Sequence, residues 1–178
     1  SDEIYEGDET VVITVDPGTG YNVSSTANSA TGTITDLDDI PVVSITVDPS
    51  SVAEDGTVSL VYTVSLSKAS ATDTVVNLTT AGTAADTDYT GAVTTVTIPA
   101  GDLTATVTID PTSDEIYEGS ETVIVSVAAA SAGTTYSISA TQGSATGTIT
   151  DLDDIPEVSI TVAPSSVAED GTVNLVYT

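Results

Sequence analysis

Short runs in which apolar and polar residues alternate recur along most of the chain. The clearest is Val58-x-Leu60-x-Tyr62-x-Val64-x-Leu66, which places five apolar side chains on one face of an extended segment. A two-residue period is typical of a β-strand that packs one face on a core. Similar runs lie at 43–47, 74–79, 93–98, 103–109, 121–127 and 145–150. No segment sustains the 3.6-residue period of an amphipathic helix, so the pattern predicts an all-β chain.

Turn-forming residues separate these predicted strands. The breaks are rich in Pro, Gly and Asp, as in Asp48-Pro49, Glu54-Asp55-Gly56, Pro99-Ala100-Gly101 and Asp110-Pro111. Seven strands in about 115 residues, with a turn every 8–15 residues, are typical of an immunoglobulin-like fold. We therefore predict a seven-stranded antiparallel β-sandwich.

Three segments of the chain recur 112–115 residues further along. They are 1–12 with 113–124 (10 of 12 residues identical), 30–41 with 145–156 (12 of 12) and 43–63 with 158–178 (19 of 21). Such a period indicates tandem repeats of one structural unit. We predict three parts: 1–41 as the C-terminal part of one repeat, 42–156 as a complete repeat, and 157–178 as the N-terminal part of the next.

The composition narrows the classes of function. The chain has 27 acidic residues and one cation, Lys68, giving a formal charge of −26, which disfavours binding to nucleic acid or to anionic membranes. An apolar fraction of 39% argues against disorder. The absence of Cys and His excludes disulfides, thiolate metal sites and imidazole bases. No apolar run reaches 18 residues, so we expect no membrane insertion in this segment.

The acid is concentrated at the ends of predicted strands. The clusters are Glu54-Asp55, Asp86 with Asp88, Asp114-Glu115-x-x-Glu118-x-x-Glu121, and Asp151 with Asp153 and Asp154. Each could be a solvated turn of an acidic surface. If the clusters share one end of the sandwich, however, about eight carboxylates converge, and like charges so close need compensation. Oxygen ligands on flexible loops favour a hard cation, Ca²⁺ over Mg²⁺.

Motifs along residues 42–156 resemble those of the Calx-beta domain, known from sodium–calcium exchangers and from tandem arrays in large surface proteins. The motifs are Val52-Ala53-Glu54-Asp55-Gly56, Tyr62-Thr63-Val64-Ser65-Leu66-Ser67, Gly82-Thr83-Ala84 with Asp88-Tyr89, Val96-Thr97-Ile98-Pro99-Ala100-Gly101, Asp114-Glu115-Ile116-Tyr117-Glu118 with Glu121-Thr122, and Gly147-Thr148-Ile149-Thr150-Asp151. Their number and order make the resemblance specific, and by repetition it extends to both partial units.

The resemblance implies Ca²⁺ bound at one end of the sandwich. The ligands it implies in the complete repeat are Glu54, Asp88, Asp114, the Ile116 carbonyl, Glu118, Glu121, Asp151, Asp153 and Asp154. Matching roles fall to Asp2, Glu6, Glu9, Asp36, Asp38 and Asp39 in the preceding repeat, and to Glu169 in the following one. Leu152 interrupts what is often an unbroken acidic run, and Ser113 stands where exchanger domains can carry another acid.

These observations predict a structural, calcium-binding repeat of a large secreted or cell-surface protein, such as an adhesin or an extracellular filament. Ca²⁺ would stiffen the junctions between neighbouring repeats of the chain. The alternative is a calcium-sensing or spacer module attached to a distant transporter, enzyme or ligand-binding domain. Exposed edge strands could also pair between copies to build a fibre. We expect no enzymatic activity, because no base activates a nucleophile and no aromatic platform would hold a sugar. We expect Tyr62, Tyr89 and Tyr117 to pack at sheet corners.

Overall fold

The computed structural model describes residues 4–133 and 135–178, and the elements that it describes are all strands. In chain order they are β1 (Glu9–Thr14), β2 (Ser29–Ile34), β3 (Val42–Val47), β4 (Ser51–Ala53), β5 (Leu60–Leu66), β6 (Thr74–Gly82), β7 (Tyr89–Thr90), β8 (Thr95–Ile98), β9 (Thr104–Pro111), β10 (Glu121–Val127), β11 (Ser137–Ile138), β12 (Ser144–Thr150), β13 (Val162–Ala163) and β14 (Val176–Tyr177). The predicted all-β class is confirmed.

Strands β3 to β12 form two packed five-stranded sheets. One sheet has the order β4-β12-β10-β6-β8, and the other has the order β11-β3-β5-β9-β7. The immunoglobulin-like sandwich is confirmed, but it has ten strands rather than seven, and β4–β12 and β11–β3 pair in parallel. The unpredicted strands β4, β7 and β11 are two or three residues long, too short to show an alternating pattern.

Three strands start later in the structure than the alternating pattern predicts. Val58, Val93 and Leu103 continue the apolar pattern, yet they precede β5, β8 and β9 and are exposed. The apolar pattern therefore predicted each of these strands to start one or two residues too early, since a side chain outside the sheet has no facing sheet to pack against.

Alternation along β5 places its apolar side chains in the centre of the sandwich. Leu60, Tyr62 and Val64 are fully buried, and they pack with aliphatic residues from both sheets. Burial of these side chains is the main driving force for closing one sheet over the other. In the absence of Phe and Trp, the core consists mainly of Val, Ile and Leu, with Tyr62 fully buried and Tyr89 and Tyr136 nearly so.

That tyrosine, Tyr62, connects the two sheets by hydrogen bonds. Its hydroxyl donates to the Val123 carbonyl at 2.7 Å and accepts from the Gly147 amide at 3.2 Å. A Cβ at Gly147 would lie 2.6 Å from Leu60 Cδ1 and 2.7 Å from the Tyr62 hydroxyl, so only glycine allows this close approach. Tyr62 thus lies in the core and not at a sheet corner.

The other two tyrosines differ from each other. Tyr89 is buried against the core, whereas Tyr117 is 42% exposed, so the expectation of packing is wrong for Tyr117. Burial raises the pKa of Tyr62 to about 12, which keeps its hydroxyl protonated and able to donate.

The residues before β3 contact the sandwich through a few polar interactions. β1 and β2 form an antiparallel hairpin with Glu9 opposite Ile34. The Tyr5 main chain donates to the Ala69 carbonyl at 3.1 Å and accepts from the Ala71 amide at 3.0 Å. Lys68 Nζ lies 3.5 Å from Asp38 Oδ1. The single cation of the chain therefore connects the preceding acidic segment to the sandwich.

Replacing Tyr62 with Phe should destabilise the sandwich. The hydroxyl's hydrogen bonds to the Val123 carbonyl and from the Gly147 amide would be lost, each at a net cost of about 0.5–1.5 kcal/mol in the free energy of unfolding, while Val123 and Gly147 remain opposite each other in the β10–β12 pair. Chemical denaturation followed by circular dichroism measures this change. Tyr117→Phe is the matched control, and it should change the free energy of unfolding by less than about 0.5 kcal/mol. Equal effects of the two substitutions would contradict the inter-sheet role of Tyr62.

Candidate metal centre

Acidic residues from four segments of the sandwich line one small pocket. Its volume is about 10 Å³, room for roughly one water-sized particle. Its lining residues are Glu54, Asp88, Thr112, Asp114, Glu118, Gly119, Glu121, Ile149 and Asp151. The sequence placed the acidic clusters at strand ends, and the fold brings members of all four together.

The carboxylates form two groups of three. Oxygen atoms of Glu54, Asp151 and Asp153 lie within 4.8 Å of one another, and this set is called the first triad here. Oxygen atoms of Asp88, Glu118 and Glu121 lie within the same distance of one another and form the second triad. Both triads contribute to the lining of the pocket, so their charges act on each other.

Main-chain amides hold Asp151 in place. Its Oδ2 accepts hydrogen bonds from the Glu118 amide at 2.6 Å and from the Gly119 amide, while its Oδ1 accepts one from the Asp153 amide at 2.7 Å. Gly119 has a φ of +77°, a conformation that favours glycine and that lets two successive amides point at one oxygen. These bonds lower the pKa of Asp151, so its carboxylate remains ionised.

A turn before β7 orients Asp88. The carboxylate accepts from the Ala85 amide at 2.6 Å and from the Thr87 hydroxyl at 2.9 Å. Its carbonyl accepts from the Thr112 amide at 2.8 Å, which ties this turn to the segment that leads to Glu118. Asp88 is therefore held by its own loop and by the neighbouring one.

The folded structure holds the remaining carboxylates close together although they repel one another. Burial raises the pKa of Glu121 to about 7, and the nearby Asp88 adds to the rise. The charge of Asp88 raises the pKa of Glu118, and burial raises that of Glu54, with contributions from Asp153 and Asp151. The pocket is thus a site of strong negative potential that a bound cation would relieve.

One oxygen in the first triad has no hydrogen-bond partner. Asp153 Oδ2 is fully shielded from solvent and is the only such unpaired side-chain atom among residues 4–133 and 135–178. Its close neighbour Glu54 is another carboxylate, which can donate only when protonated. A buried oxygen without a donor is unusual in a folded protein, and a metal ion would satisfy it. The all-oxygen donor set fits Ca²⁺.

The structure brings most, but not all, of the predicted ligands to the pocket. Asp114 lines it, although its Oδ1 accepts from the Ile116 amide at 2.8 Å and it belongs to neither triad. Ile116 and Asp154 are exposed and are not lining residues. Asp153 joins Glu54 of its own repeat.

The sequence prediction overlooked Thr112 and Gly119, although a Glu-Gly pair at each repeat was visible in the sequence.

The preceding repeat shows the same local arrangement. Asp36 Oδ2 accepts from the Glu6 amide at 2.8 Å and the Gly7 amide at 2.6 Å, and Asp36 Oδ1 accepts from the Asp38 amide at 2.8 Å. Glu6, Glu9, Asp36 and Asp38 line a pocket together. Of the other predicted ligands, Asp39 and Glu169 are exposed and Asp2 lies outside the described residues. Three main-chain amides thus surround Asp36 and Asp151 alike, and this arrangement is called the backbone cage here.

Comparison with known proteins identifies the family of this fold. The family model of the Calx-beta domain matches residues 36–153. A crystal structure of the apo-form Calx CBD1 domain is 23% identical, covers 62% of this chain and 98% of its own, and has a TM-score of 0.50. A crystal structure of the calcium binding domain CBD12 of CALX1.1 is also 23% identical, covers 60% of this chain and 44% of its own, and has a TM-score of 0.48. No curated protein matches the sequence.

The raised pKa of Glu121 predicts how stability depends on pH in calcium-free buffer. The folded-state pKa is about 7 and the reference value is 4.5, so the folded chain holds this proton more tightly than the unfolded chain. The free energy of unfolding should therefore decrease as pH rises from about 4.5 to 7 and level off above that range. Thermal melting across this pH range, with chelator present, measures the effect.

Glu121→Gln should flatten this pH dependence, because the glutamine cannot ionise. Asp102→Asn, at an exposed aspartate outside the pocket, is the control and should keep the wild-type slope. If the free energy of unfolding of Glu121→Gln depended on pH as that of wild type does, another titrating group would be responsible for the dependence.

Proposed function

The chain belongs to the Calx-beta domain family, a family of calcium-binding domains, and we propose that its acidic pocket binds Ca²⁺. The observation that carries the proposal is the buried, unpaired Asp153 Oδ2 beside Glu54 and Asp151. An oxygen in that position requires a donor or a cation, and the only protein cation, Lys68, pairs with Asp38 instead.

The two triads would supply the protein ligands. Glu54, Asp151 and Asp153 would hold one ion, and Asp88, Glu118 and Glu121 would hold a second ion or share the first. A bound Ca²⁺ neutralises the converging carboxylates and satisfies several oxygens at once. Because the ligands follow β4 and β12 and flank β7 and β10, holding them together fixes the loops that join the two sheets.

An ion in the matching pocket lined by Glu6, Glu9, Asp36 and Asp38 would stiffen the junction between repeats. The acidic segment of the preceding repeat, 36–39, leads within a few residues into β3 of the sandwich. Tyr5, next to Glu6, forms main-chain hydrogen bonds with Ala69 and Ala71 of the sandwich. Ordering of Glu6 and Asp36 by an ion would therefore limit the motion of the segment that contacts the neighbouring repeat.

This role suits a tandem array in a large secreted or cell-surface protein, such as an adhesin or an extracellular filament. Near-identical repeats, each with the same acidic cage, support a mechanical role, since the stability of an array sums over units and interfaces. A copied cage is also hard to reconcile with catalysis. Among the described residues, no helix has the length and apolar character to cross a membrane.

Glu54→Gln should have opposite effects with and without calcium. It removes one carboxylate from the first triad, so calcium affinity should decrease at least about tenfold. It also removes repulsion, so the calcium-free protein should melt at the same or a higher temperature than wild type. Isothermal titration calorimetry and thermal melting in calcium and in chelator measure both effects.

Asp102→Asn provides the charge-matched control for this substitution, and it should retain wild-type affinity and melting. The proposal is wrong if the wild-type chain shows neither a heat of binding on titration with calcium nor a higher melting temperature in calcium. The acidic pocket would then be a solvated surface feature.

Calcium should also narrow the range of shapes that the chain adopts in solution. Small-angle X-ray scattering in calcium and in chelator measures this change. Lys68→Gln removes the contact with Asp38, so it should broaden the calcium-bound distribution while leaving calcium binding by the complete repeat intact. Saturated calcium sites with unchanged scattering would refute stiffening of the junction and leave calcium binding standing.

A further inference from the structure

Two threonines join the residue after β6 to the start of β10 by reciprocal hydrogen bonds. The Thr83 hydroxyl accepts from the Thr122 amide at 2.9 Å, and the Thr122 hydroxyl accepts from the Thr83 amide at 3.2 Å. The two hydroxyl oxygens lie 3.3 Å apart. The Thr122 carbonyl also accepts from the amides of Thr83 at 3.0 Å and Ala84 at 3.2 Å. We call this set of contacts the threonine clamp.

Gly82 allows the two segments to approach this closely. It is the last residue of β6 and lies opposite Val123 of β10. Its φ is +137°, a conformation that residues with a side chain rarely adopt, and a Cβ at this position would collide with the Thr122 carbonyl oxygen. A residue other than glycine would therefore displace Thr83 from Thr122.

Each half of the clamp leads within a few residues to one acid of the second triad. Glu121 directly precedes Thr122, and Asp88 follows Ala84 by four residues. The turn that leads to Asp88 is closed at both ends, because the Asp88 amide donates to the Ala85 carbonyl at 3.1 Å and the Asp88 carboxylate accepts from the Ala85 amide at 2.6 Å. A displacement at the clamp would therefore change the separation of the Asp88 and Glu121 oxygens, which lie within 4.8 Å of each other.

Core packing and the clamp hold the Asp88 turn from its two sides. Tyr89, the next residue, is buried against the core and pairs with Pro111. The clamp ties the residues before the turn to β10, next to Glu121. Because two carboxylates at this separation repel each other, a constraint on both sides keeps Asp88 against Glu121.

We propose that Thr83 and Thr122 are positioning residues that set the separation of Asp88 and Glu121, and that they thereby give the second triad its affinity for Ca²⁺. Neither threonine is among the described residues that line the pocket, so both act through the two acids. Removing a group that orients metal ligands typically lowers metal affinity about 10- to 100-fold. The effect on calcium affinity rests on the proposed function, whereas the positioning of Asp88 does not.

The first triad is held by other contacts. Asp151 accepts from the amides of Glu118, Gly119 and Asp153, and Glu54 accepts from the Leu152 amide at 3.3 Å. None of these bonds involves either threonine. Removal of the clamp should therefore weaken calcium binding without abolishing it.

Isothermal titration calorimetry of the full chain with calcium, on Thr83→Val, tests the proposal. Valine keeps the β-branched shape of threonine but lacks the hydroxyl, so it removes the acceptor of the Thr122 amide at an exposed position. Calcium affinity should fall about tenfold. In chelator, exchange of the Asp88 and Thr112 amide hydrogens, followed by NMR, should become faster, because both amides bond within or onto the Asp88 turn.

Two further variants separate positioning from a general effect of the substitution. Thr83→Ser restores the hydroxyl, so it should bind calcium and exchange as wild type does. Thr79→Val is the matched control on β6, since Thr79 is also exposed and its hydroxyl bonds to no described residue. This control should keep the wild-type affinity and exchange.

Weaker calcium binding and faster exchange that are confined to Thr83→Val would support the clamp. Wild-type affinity in Thr83→Val, or equal losses in Thr83→Val and Thr79→Val, would overturn it and leave calcium binding by the pocket standing. If the wild-type chain binds no calcium, the proposed function fails. Faster exchange of the Asp88 amide in Thr83→Val alone would then still support positioning by the clamp, and equal exchange in all variants would overturn it.

Discussion

The capture of Asp151 by main-chain amides is the interaction on which the acidic pocket depends. Amides of Glu118, Gly119 and Asp153 bond to one carboxylate and so tie the segment that carries Glu118 and Glu121 to the segment that carries Asp153. The folded backbone contributes the stabilising interactions, and the side chains of Glu54, Glu118 and Glu121 are left to repel one another. The fold itself thus brings the negative charges together, and a bound cation would balance them.

The same device links local geometry to the organisation of the array. Asp36, Glu6 and Gly7 reproduce the cage one repeat earlier, although no complete sandwich surrounds them in the described residues. A cage that forms within a hairpin and its following turn needs only local sequence. The same local sequence therefore produces the same arrangement at both places in the chain. In the proposed array, an ion bound there would also stiffen the link to the neighbouring repeat.

Alternation in the sequence was sufficient to predict the long strands and the β-sandwich, because burial of one face is what the alternation encodes. It could not predict β4, β7 and β11, whose two or three residues pair only because longer strands are already in place. The acidic residues of the site were likewise readable at strand ends. The division of these acidic residues into two triads could not be predicted from the sequence, since it depends on how the loops lie against one another in the folded chain. Asp154 and Ile116 are exposed and do not line the pocket, so their roles as ligands stay predictions.

Tyr62 shows how a uniform aliphatic core still specifies one arrangement of its sheets. Aliphatic side chains carry no directional polar group, whereas the Tyr62 hydroxyl must meet both the Val123 carbonyl and the Gly147 amide. Gly147 in turn admits Leu60 and Tyr62 only because it has no side chain. This three-part fit therefore fixes the position of one sheet relative to the other.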